Sequence, residues 1–515
     1  MRYDVIIIGA GSAGSTLATR LSEDPHRSIL LLEAGPDYPE LERLPADLKW
    51  GNNILQSAFG PHTWSYTATA TPQAPAPIPI PRGKVTGGTS AINGQVLLRG
   101  LPEDYDTWAA WGNEEWAFPK ILPYFRKLES DGDFSGDFHG ADGPIPIRRY
   151  RCAEMLPHAQ AFYAACLAAG FPACPDHNHP EATGIAPAPL NTREGVRMST
   201  ALTYLAQARH RLNLTLRPNV TVRRLVFAGT RAVGVEAESG GERFTIEGAQ
   251  IVLSAGALAS PHLLLLSGVG PAALLRDLGI AVVQDLPGVG QNLRDHPYAL
   301  LVFRETGPAP DMRQSAVQLI LRYTAEGSTR RNDMQIGPSP LDRAYLPDML
   351  PLPRDARCCC LYAALFNAVS AGALTLTSPD PHVPPAVDYR YLADPWDLAR
   401  LRQGVRLALR LAHHPAFAAL RLERITPTEA DLVSDAALDA WLLQSVGAGY
   451  HSAGTCKMGP ASDPMAVVDQ FCHVRGLEGV RVVDASVMPD VIRANTNATV
   501  IMIAERVADW MKAGR

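Results

Sequence analysis

The N-terminal residues place a glycine-rich turn between two apolar segments. The segment from Tyr3 to Ile8 is rich in isoleucine, which is typical of a strand covered on both faces of a parallel sheet. Small and apolar residues then recur at helical spacing from Ser12 to Leu21, and a second apolar run follows from Ser28 to Leu32. This order predicts a strand, a helix and a second strand.

The turn itself has the spacing G-x-G-x-x-G, formed by Gly9, Gly11 and Gly14, and Glu33 closes the second strand. Glycine permits a tight turn and the close approach of a pyrophosphate, and the helix N-terminus supplies unpaired N–H donors. An acid at the end of the second strand accepts hydrogen bonds from a ribose diol. The unit therefore predicts a dinucleotide site, either NAD or FAD, and the alternative is a purely structural turn.

Four further segments carry a family resemblance. Residues 82–100 read RGKVTGGTSAINGQVLLRG, and the chain later contains SAGALASPHLLLLSGVGP, YHSAGTCKMG, and VVDASVMP followed by NTNATVIMIAE. These segments resemble the signatures of the glucose-methanol-choline (GMC) family of FAD-dependent oxidoreductases. The resemblance extends from Asp4 to about Asp509.

The resemblance implies an α/β fold with two domains. A Rossmann-like FAD-binding domain would comprise residues 1–155, 195–297 and 446–515, the last part carrying active-site residues. A substrate domain, with a six-stranded antiparallel sheet flanked by helices, would comprise residues 156–194 and 298–445.

The resemblance also implies how FAD is held. In the family, the residue directly before the loop asparagine can be a histidine joined covalently to the flavin, and here that residue is Ile92. Isoleucine forms no such bond, so we expect noncovalent FAD. Val222 is assigned to the adenine, although it is equally typical of a core strand. Val85 is assigned a nearby backbone contact, and Asn93 and Gly94 are assigned contacts with the flavin and the pyrophosphate. The other residues that match cofactor-contacting positions are Gly88, Ala485 and Asn497.

Two residues match the family's catalytic positions. His451 lies in YHSAGTCKMG, and a neutral imidazole can take the hydroxyl proton of an alcohol while hydride leaves the carbon. Asn495 matches the partner position, where its amide would orient the substrate oxygen. The pairing of histidine with asparagine resembles the choline-dehydrogenase side of the family more than its two-histidine, glucose-oxidising side. The alternatives are a packing role for the histidine and a turn role for the asparagine.

These residues predict oxidation of an alcohol to an aldehyde, with O₂, a quinone or another carrier as the electron acceptor. Phe366 and Tyr450 favour a primary alcohol of aryl, furan or aliphatic type. Choline is not favoured, although Glu305 and Asp333 lie in the predicted substrate domain. Gly449 removes side-chain bulk beside the flavin, so oxidase and dehydrogenase both stay open.

Two other functions remain as alternatives. The same family includes hydroxynitrile lyases and a photodecarboxylase, which keep FAD without net alcohol oxidation. A flavin-binding module without catalysis would be expected to lack the base, but His451 is present.

The charge composition limits the classes of binding partner that we expect. With 47 basic and 52 acidic residues and no block of like charge, neither nucleic acid nor an anionic membrane is an expected partner. From the N-terminal segment and the interrupted apolar runs, we expect neither secretion nor a membrane-spanning helix. Eight cysteines without a CxxC pair fit a reducing cytoplasm, where we expect the protein.

His177 and His179 lack a completing ligand set, so no metal is predicted. The sequence does not predict an oligomeric state.

Overall fold

The computed structural model describes residues 2–52, 54–306, 314–342 and 357–515. Two large sheets organise the chain, one mainly parallel and one antiparallel, with helices packed against them. The predicted α/β class is confirmed. The predicted domain bounds stay predictions.

The first sheet is built from widely separated segments. Its longest strand, Glu242–Leu253, pairs antiparallel with Arg231–Ser239 and parallel with Arg2–Ile8, and its last residues pair parallel with Val480–Val482. The C-terminal segment is thereby joined to the sheet beside the N-terminal strand. The strand order is Leu214–Arg217, Ile29–Leu32, Arg2–Ile8, Glu242–Leu253, Arg231–Ser239 and Thr221–Ala228.

The glycine turn lies at the carboxyl ends of these parallel strands, where open α/β sheets bind ligands. Gly9 has a φ of +96°, and a Cβ on it would lie 2.6 Å from the carbonyl oxygen of Ser254. A larger residue at this position would therefore separate two neighbouring strand ends.

The C-terminal helix, Thr496–Lys512, packs on the first helix, Ser12–Leu21. Between them, the buried carboxylate of Glu505 forms an ion pair with Arg20 at 2.8 Å and accepts a hydrogen bond from the hydroxyl of Tyr204 at 2.8 Å. This contact holds the two helices together, so that both begin at the same region of the molecule.

The second sheet is antiparallel throughout. A short extra strand, Gly447–Ala448, pairs with the start of Pro297–Glu305, which adds a seventh strand to the six expected. This pairing brings the residues that follow Ala448 beside those that precede Pro297. The order of the six main strands is Leu422–Thr426, Pro297–Glu305, Arg357–Leu365, Met334–Asp342, Leu319–Tyr323 and Gly184–Pro187.

The outer face of this sheet is covered by the helix Pro395–Ala412, whose apolar residues recur at helical spacing. Arg400 on this helix is fully buried and forms ion pairs with Asp333 and Asp397, each at 2.7 Å. A buried arginine requires such partners, since an unpaired buried charge is costly.

The remaining elements are short or peripheral. Two-stranded pairs are formed by Thr63–Ala68 with Ile78–Gly83, Glu129–Asp131 with Ile145–Ile147, Thr192–Arg193 with Val196–Arg197, Val269–Gly270 with Gln284–Asp285, and Ala373–Thr375 with Ala386–Asp388. Further α-helices are Ala46–Lys49, Ile54–Ala58, Pro102–Ala110, Phe118–Leu128, Pro157–Ala168, Ala206–Ala208, Gly256–Leu266, Ala272–Asp277, Glu429–Leu432 and Asp435–Ser445. Within the described ranges, no helix combines the length and the apolar character that crossing a bilayer requires.

Candidate active site

A single cavity of about 1120 Å³ connects the two large sheets. One end is lined by the glycine turn, including Gly9 and Gly11, and the other by residues of the antiparallel sheet, including Tyr298 and Tyr362. The volume is large enough for an extended cofactor together with a small substrate.

Glu33 lies at the first end of the cavity with its carboxylate held by backbone groups. Its oxygens accept hydrogen bonds from the N–H of Ala10 at 3.0 Å and from the N–H of Gly35 at 2.9 Å. Burial raises the pKa of Glu33 to about 7, although these hydrogen bonds act in the opposite direction. The carboxyl group is thus fixed in orientation, with lone pairs left for a hydroxyl ligand.

Two helix N-termini meet beside the glycine turn. Ser12 opens the first helix, Asn497 lies in the first turn of the C-terminal helix, and the serine hydroxyl donates to the asparagine Oδ1 at 2.6 Å. Helix N-termini carry partial positive charge and unpaired N–H groups. This part of the cavity therefore favours an anionic ligand such as a pyrophosphate.

The glycine loops also form a close cradle. Gly88 has a φ of +52°, and a Cβ on it would lie 2.6 Å from the Cα of Gly11. The two loops approach this closely because Gly88 lacks a side chain. This cradle, the oriented Glu33 and the paired helix N-termini fit FAD.

Most of the predicted cofactor residues come together in the cavity lining, but Gly14 and Val85 do not line it. A Cβ on Gly14 would lie 1.8 Å from the carbonyl oxygen of Gly9, so its role is close packing of helix on strand. Val85 is buried in a small cluster with Leu48. The predicted cofactor residues in the lining are Gly9, Gly11, Glu33, Gly88, Asn93, Gly94, Val222, Ala485 and Asn497.

The two predicted catalytic residues are direct neighbours in the cavity wall. The Nδ2 of Asn495 lies 3.0 Å from the Nε2 of His451. His451 follows the short strand Gly447–Ala448, and Asn495 caps the C-terminal helix. The Oδ1 of Asn495 has no hydrogen-bond partner among the described residues, so an acceptor is left for a ligand.

A second histidine, which the sequence analysis did not identify, contacts the first. The Nδ1 of His296 lies 2.8 Å from the Nδ1 of His451, and Phe366 stacks on the His296 ring at a centroid distance of 4.2 Å. Asp295 accepts backbone N–H groups from both histidines, at 2.8 and 2.7 Å. The two histidines are 155 positions apart, and no motif in the sequence links them.

The electrostatic environment keeps His451 neutral. Burial lowers its pKa to about 3, and the positive charge of Arg82 acts in the same direction. The Arg82 guanidinium is held in place by a hydrogen bond to the hydroxyl of Ser452 at 2.6 Å. At neutral pH the imidazole is therefore in the form that accepts a proton.

The substrate end of the cavity is mainly apolar and aromatic. Gln335, Ser339 and Cys360 add a few polar atoms to it. The aromatic and aliphatic residues at this end are Tyr298, Leu300, Val302, Val317, Ile320, Tyr362, Phe366, Trp441 and Tyr450.

No carboxylate lines the substrate end within the described part of the chain. Besides Glu33, the acids in the lining are Glu238, on a strand of the first sheet, and Asp484, which follows another. Asp333 is paired with a buried arginine, and neither it nor Glu305 is part of the lining.

The two histidines considered as metal ligands are engaged separately. The Nε2 of His177 donates to the carbonyl oxygen of Ile320 at 2.8 Å, and the Nδ1 of His179 accepts the N–H of Glu181. They therefore do not converge on one point.

A different cluster in the described ranges brings three ligand-type groups within 4.8 Å, namely Glu129, Asp131 and His139. Arg149 forms an ion pair with Asp131 at 2.8 Å, and Arg99 pairs with Glu129. Burial lowers the pKa of His139, but hydrogen bonds to Asp131 and nearby carboxylates outweigh it and raise the pKa to about 10. Together these contacts form a buried ion network.

Comparison with known proteins agrees with this arrangement. Family models described as GMC oxidoreductase match residues 3–298 and 368–504. The chain is 36% identical to an oxygen-dependent choline dehydrogenase from Photobacterium profundum, over 98% of this chain and 92% of the relative. It is also 36% identical to the mitochondrial choline dehydrogenase of Mus musculus, over 99% and 89%. The crystal structure of pyridoxine 4-oxidase from Mesorbium loti is 30% identical, covers 99% of both chains and superposes with a TM-score of 0.91.

The chain is therefore an FAD-dependent oxidoreductase that acts on CH–OH groups. It belongs to the GMC oxidoreductase family, as the sequence segments indicated.

Proposed function

We propose that the protein oxidises a primary alcohol of aryl, furan or aliphatic type to the aldehyde, with His451 as the general base and Asn495 as its partner. The observation that carries this proposal is the 3.0 Å contact between the His451 Nε2 and the Asn495 Nδ2 in the wall of the cavity. The two groups meet in the cavity wall, and an alcohol oxygen that replaces this contact would find an acceptor for its proton and a donor for its lone pair.

In this reaction, FAD supplies the acceptor for the hydride that leaves the alcohol carbon. His451 takes the hydroxyl proton on Nε2, and positioned base catalysis of this kind contributes about 10²–10⁴ in rate. The Asn495 amide donates to the alcohol oxygen and holds it in place. The apolar wall formed by Tyr298, Tyr362 and Phe366 excludes water and binds the rest of the substrate.

Choline is not the substrate we propose, although relatives are named choline dehydrogenase. A trimethylammonium group carries a fixed positive charge, and a nearby carboxylate offsets the cost of burying it. The described substrate end offers aromatic side chains but no carboxylate, and Arg82 adds a positive charge beside the base. These features favour a neutral substrate.

Cofactor contacts at the other end of the cavity belong to the same proposal. Glu33 would bind the ribose hydroxyls and Val222 the adenine. The remaining residues proposed to hold the pyrophosphate and the flavin are Gly9, Gly11, Gly88, Asn93, Gly94, Ala485 and Asn497. Gly14 would support the turn by close packing, and Val85 would contribute a backbone contact. The electron acceptor, O₂ or a quinone or other carrier, stays open, and we expect the protein in the cytoplasm.

Steady-state turnover tests the proposal. Purified protein is supplied with benzyl, furfuryl and aliphatic primary alcohols and with choline, with O₂ or a quinone as acceptor, and aldehyde formation is measured. We expect aldehyde from at least one neutral class and a lower kcat/KM for choline. A preference for choline would contradict the substrate assignment. No aldehyde from any alcohol would favour the lyase or photodecarboxylase alternative over oxidation.

Noncovalent attachment of FAD gives a separate prediction. Because Ile92 lies where a covalent histidine would have to be, acid precipitation of the yellow protein should release all of its flavin into the supernatant. The absorbance spectra of the supernatant and of the redissolved pellet measure this. Flavin that stays with the pellet would show a covalent bond at another residue.

The lowered pKa of His451 predicts the pH dependence of flavin reduction. A base with an ordinary pKa near 6.5 loses half of its active form at that pH. Here the pKa is about 3, and the neutral form persists below pH 6.5. We expect the anaerobic rate constant of flavin reduction to stay level from about pH 8 to pH 5. An acid limb centred near 6.5 would contradict this environment for His451.

A further inference from the structure

We propose that His296 is a positioning residue that fixes the tautomer of His451, so that the unprotonated Nε2 of His451 faces the substrate. This inference rests on the proposed function, because it concerns the base of that reaction. It follows from a chain of hydrogen bonds that begins behind the cavity and ends at Asn495.

The series of hydrogen bonds begins at a group that can only accept. The carbonyl oxygen of Ile492 lies 2.9 Å from the Nε2 of His296. A carbonyl oxygen only accepts hydrogen bonds, so the Nε2 of His296 must carry the proton. The Nδ1 of a neutral His296 is then an acceptor.

This acceptor lies 2.8 Å from the Nδ1 of His451. Two unprotonated nitrogens repel at that distance, so the Nδ1 of His451 carries a proton and donates it to His296. The Nε2 of a neutral His451 then keeps its lone pair, and the Asn495 amide donates to it at 3.0 Å.

His296 must be neutral for this argument, and its surroundings agree. The residue is fully buried, and Phe366 stacks on its ring. The nearby Asp295 uses Oδ1 for the backbone N–H groups of the two histidines and Oδ2 for the hydroxyl of Tyr391 at 2.8 Å. Among the described residues, no carboxylate therefore contacts the ring of His296. A positive charge buried on this ring would have no negative partner, which is costly.

Backbone contacts hold the two histidine rings at this distance. The N–H of Gly449 donates to the carbonyl oxygen of His296 at 2.8 Å. A Cβ on Gly449 would lie 2.6 Å from that oxygen and 3.3 Å from the Nδ1 of His451. Glycine at this position, first considered as an opening toward the flavin, is thus required for the contact between the histidines.

Asn495 alone would not select the tautomer. A side-chain amide offers a donor or an acceptor to the same partner by rotating about its last bond. Its Oδ1 has no other partner among the described residues, so nothing else opposes that rotation. Without His296, the Nε2 of His451 could carry the proton and donate to Oδ1, and the base would then be blocked.

With this tautomer, His451 can take up the proton of the alcohol directly. The alcohol O–H bond breaks, its electron pair stays on the oxygen, and the proton forms a new bond to Nε2 of His451. The Nδ1 proton of His451 stays in place throughout, donated to the lone pair of His296. The resulting imidazolium is therefore stabilised by an uncharged acceptor.

Two substitutions at one position test the inference in the FAD-loaded enzyme. His296→Phe keeps an aromatic ring against Phe366 but removes the acceptor. His296→Gln restores the pattern, because its amide can donate to Ile492 and accept from His451. Two readouts apply to both variants, namely the anaerobic rate of flavin reduction by alcohol and the ¹⁵N chemical shifts of labelled histidine rings. Comparison with His451→Gln assigns the His451 signals.

We expect the resting wild-type enzyme to show His451 protonated at Nδ1 and unprotonated at Nε2. In His296→Phe, signal for protonated Nε2 should appear and flavin reduction should slow by about 10²-fold or more, since a wrong tautomer cost about 10⁴ in a serine protease. His296→Gln should keep the wild-type tautomer and lie within about tenfold of its rate.

Two results would overturn the inference. One is a wild-type His451 protonated at Nε2. The other is an unchanged tautomer in His296→Phe, whether the rate stays normal or falls equally in both variants, as a structural role would predict. The ring signals need no substrate. Failure of every alcohol to reduce the flavin would therefore reject the proposed function while the tautomer is still decided.

Discussion

Replacing His451 by alanine should leave a yellow, folded protein whose flavin is no longer reduced by alcohol at a useful rate. The imidazole is the group that faces Asn495 in the cavity, whereas the neighbouring His296 contacts His451 at the other ring nitrogen, Nδ1. Loss of a positioned general base slows a reaction by about 10²–10⁴-fold. Stopped-flow absorbance under anaerobic conditions measures the rate constant.

His473→Ala is the matched control for this variant. His473 lies in the same C-terminal segment but outside the cavity lining, and its side chain is 42% exposed. Its ring contacts the carboxylate of Asp469 at 3.2 Å, so its removal should cost at most about 1 kcal/mol of stability and leave the rate near wild type. Near-normal flavin reduction in His451→Ala, with FAD content unchanged, would reject His451 as the base.

Two glycine substitutions in the first turn should have large but different effects, one on FAD binding and one on the stability of the apoprotein. A Cβ on Gly11 would meet only the Cα of Gly88, at 3.8 Å, so the apoprotein of Gly11→Ala should fold normally. The new methyl group would lie in the cavity lining where we place the pyrophosphate. We expect FAD affinity to fall by at least about tenfold, equivalent to about 1.4 kcal/mol.

Gly14→Ala should instead destabilise the protein itself. A Cβ there would lie 1.8 Å from the carbonyl oxygen of Gly9, so the first helix must move off the sheet. Overpacking of this kind costs about 1–3 kcal/mol or more, and it should lower the Tm of the apoprotein. Thermal unfolding of the apoproteins and fluorescence titration with FAD separate the effects. Equal apoprotein Tm values together with equal FAD affinities would refute both assignments.

The residues at the cofactor end of the cavity could be predicted from the sequence because they belong to local motifs. The glycine turn and Glu33 are read from one strand, helix and strand unit, and Asn93 and Gly94 from one loop. Val85 is different. Its side chain packs away from the cavity in a cluster with Leu48, which leaves the backbone for the predicted contact with the cofactor.

The contact between His296 and His451 could not be predicted from the sequence, because it is created by the pairing of two strands that are distant in sequence. Gly447–Ala448 pairs with Pro297 and Tyr298, and this register places His451 beside His296. The two-residue strand is too short to give a hydrophobic pattern. Only the folded chain shows the contact.

The substrate end was predicted in character but not in composition. Phe366 and Tyr450 were expected near the pocket, whereas Tyr298, Tyr362 and Trp441 were not identified. Their positions depend on which face of a strand or helix meets the cavity. That choice is set by the packing of the two sheets.

The central claim is that an alcohol delivers hydride to bound flavin in the cavity that contains His451. The most direct measurement is the visible spectrum of the purified holoprotein mixed anaerobically with a panel of neutral primary alcohols, followed by air. We predict that at least one class bleaches the flavin, and that rapid return of the colour in air would identify an oxidase and slow return a dehydrogenase. A flavin that stays oxidised with every alcohol, in protein that holds its full complement of FAD, would contradict the claim.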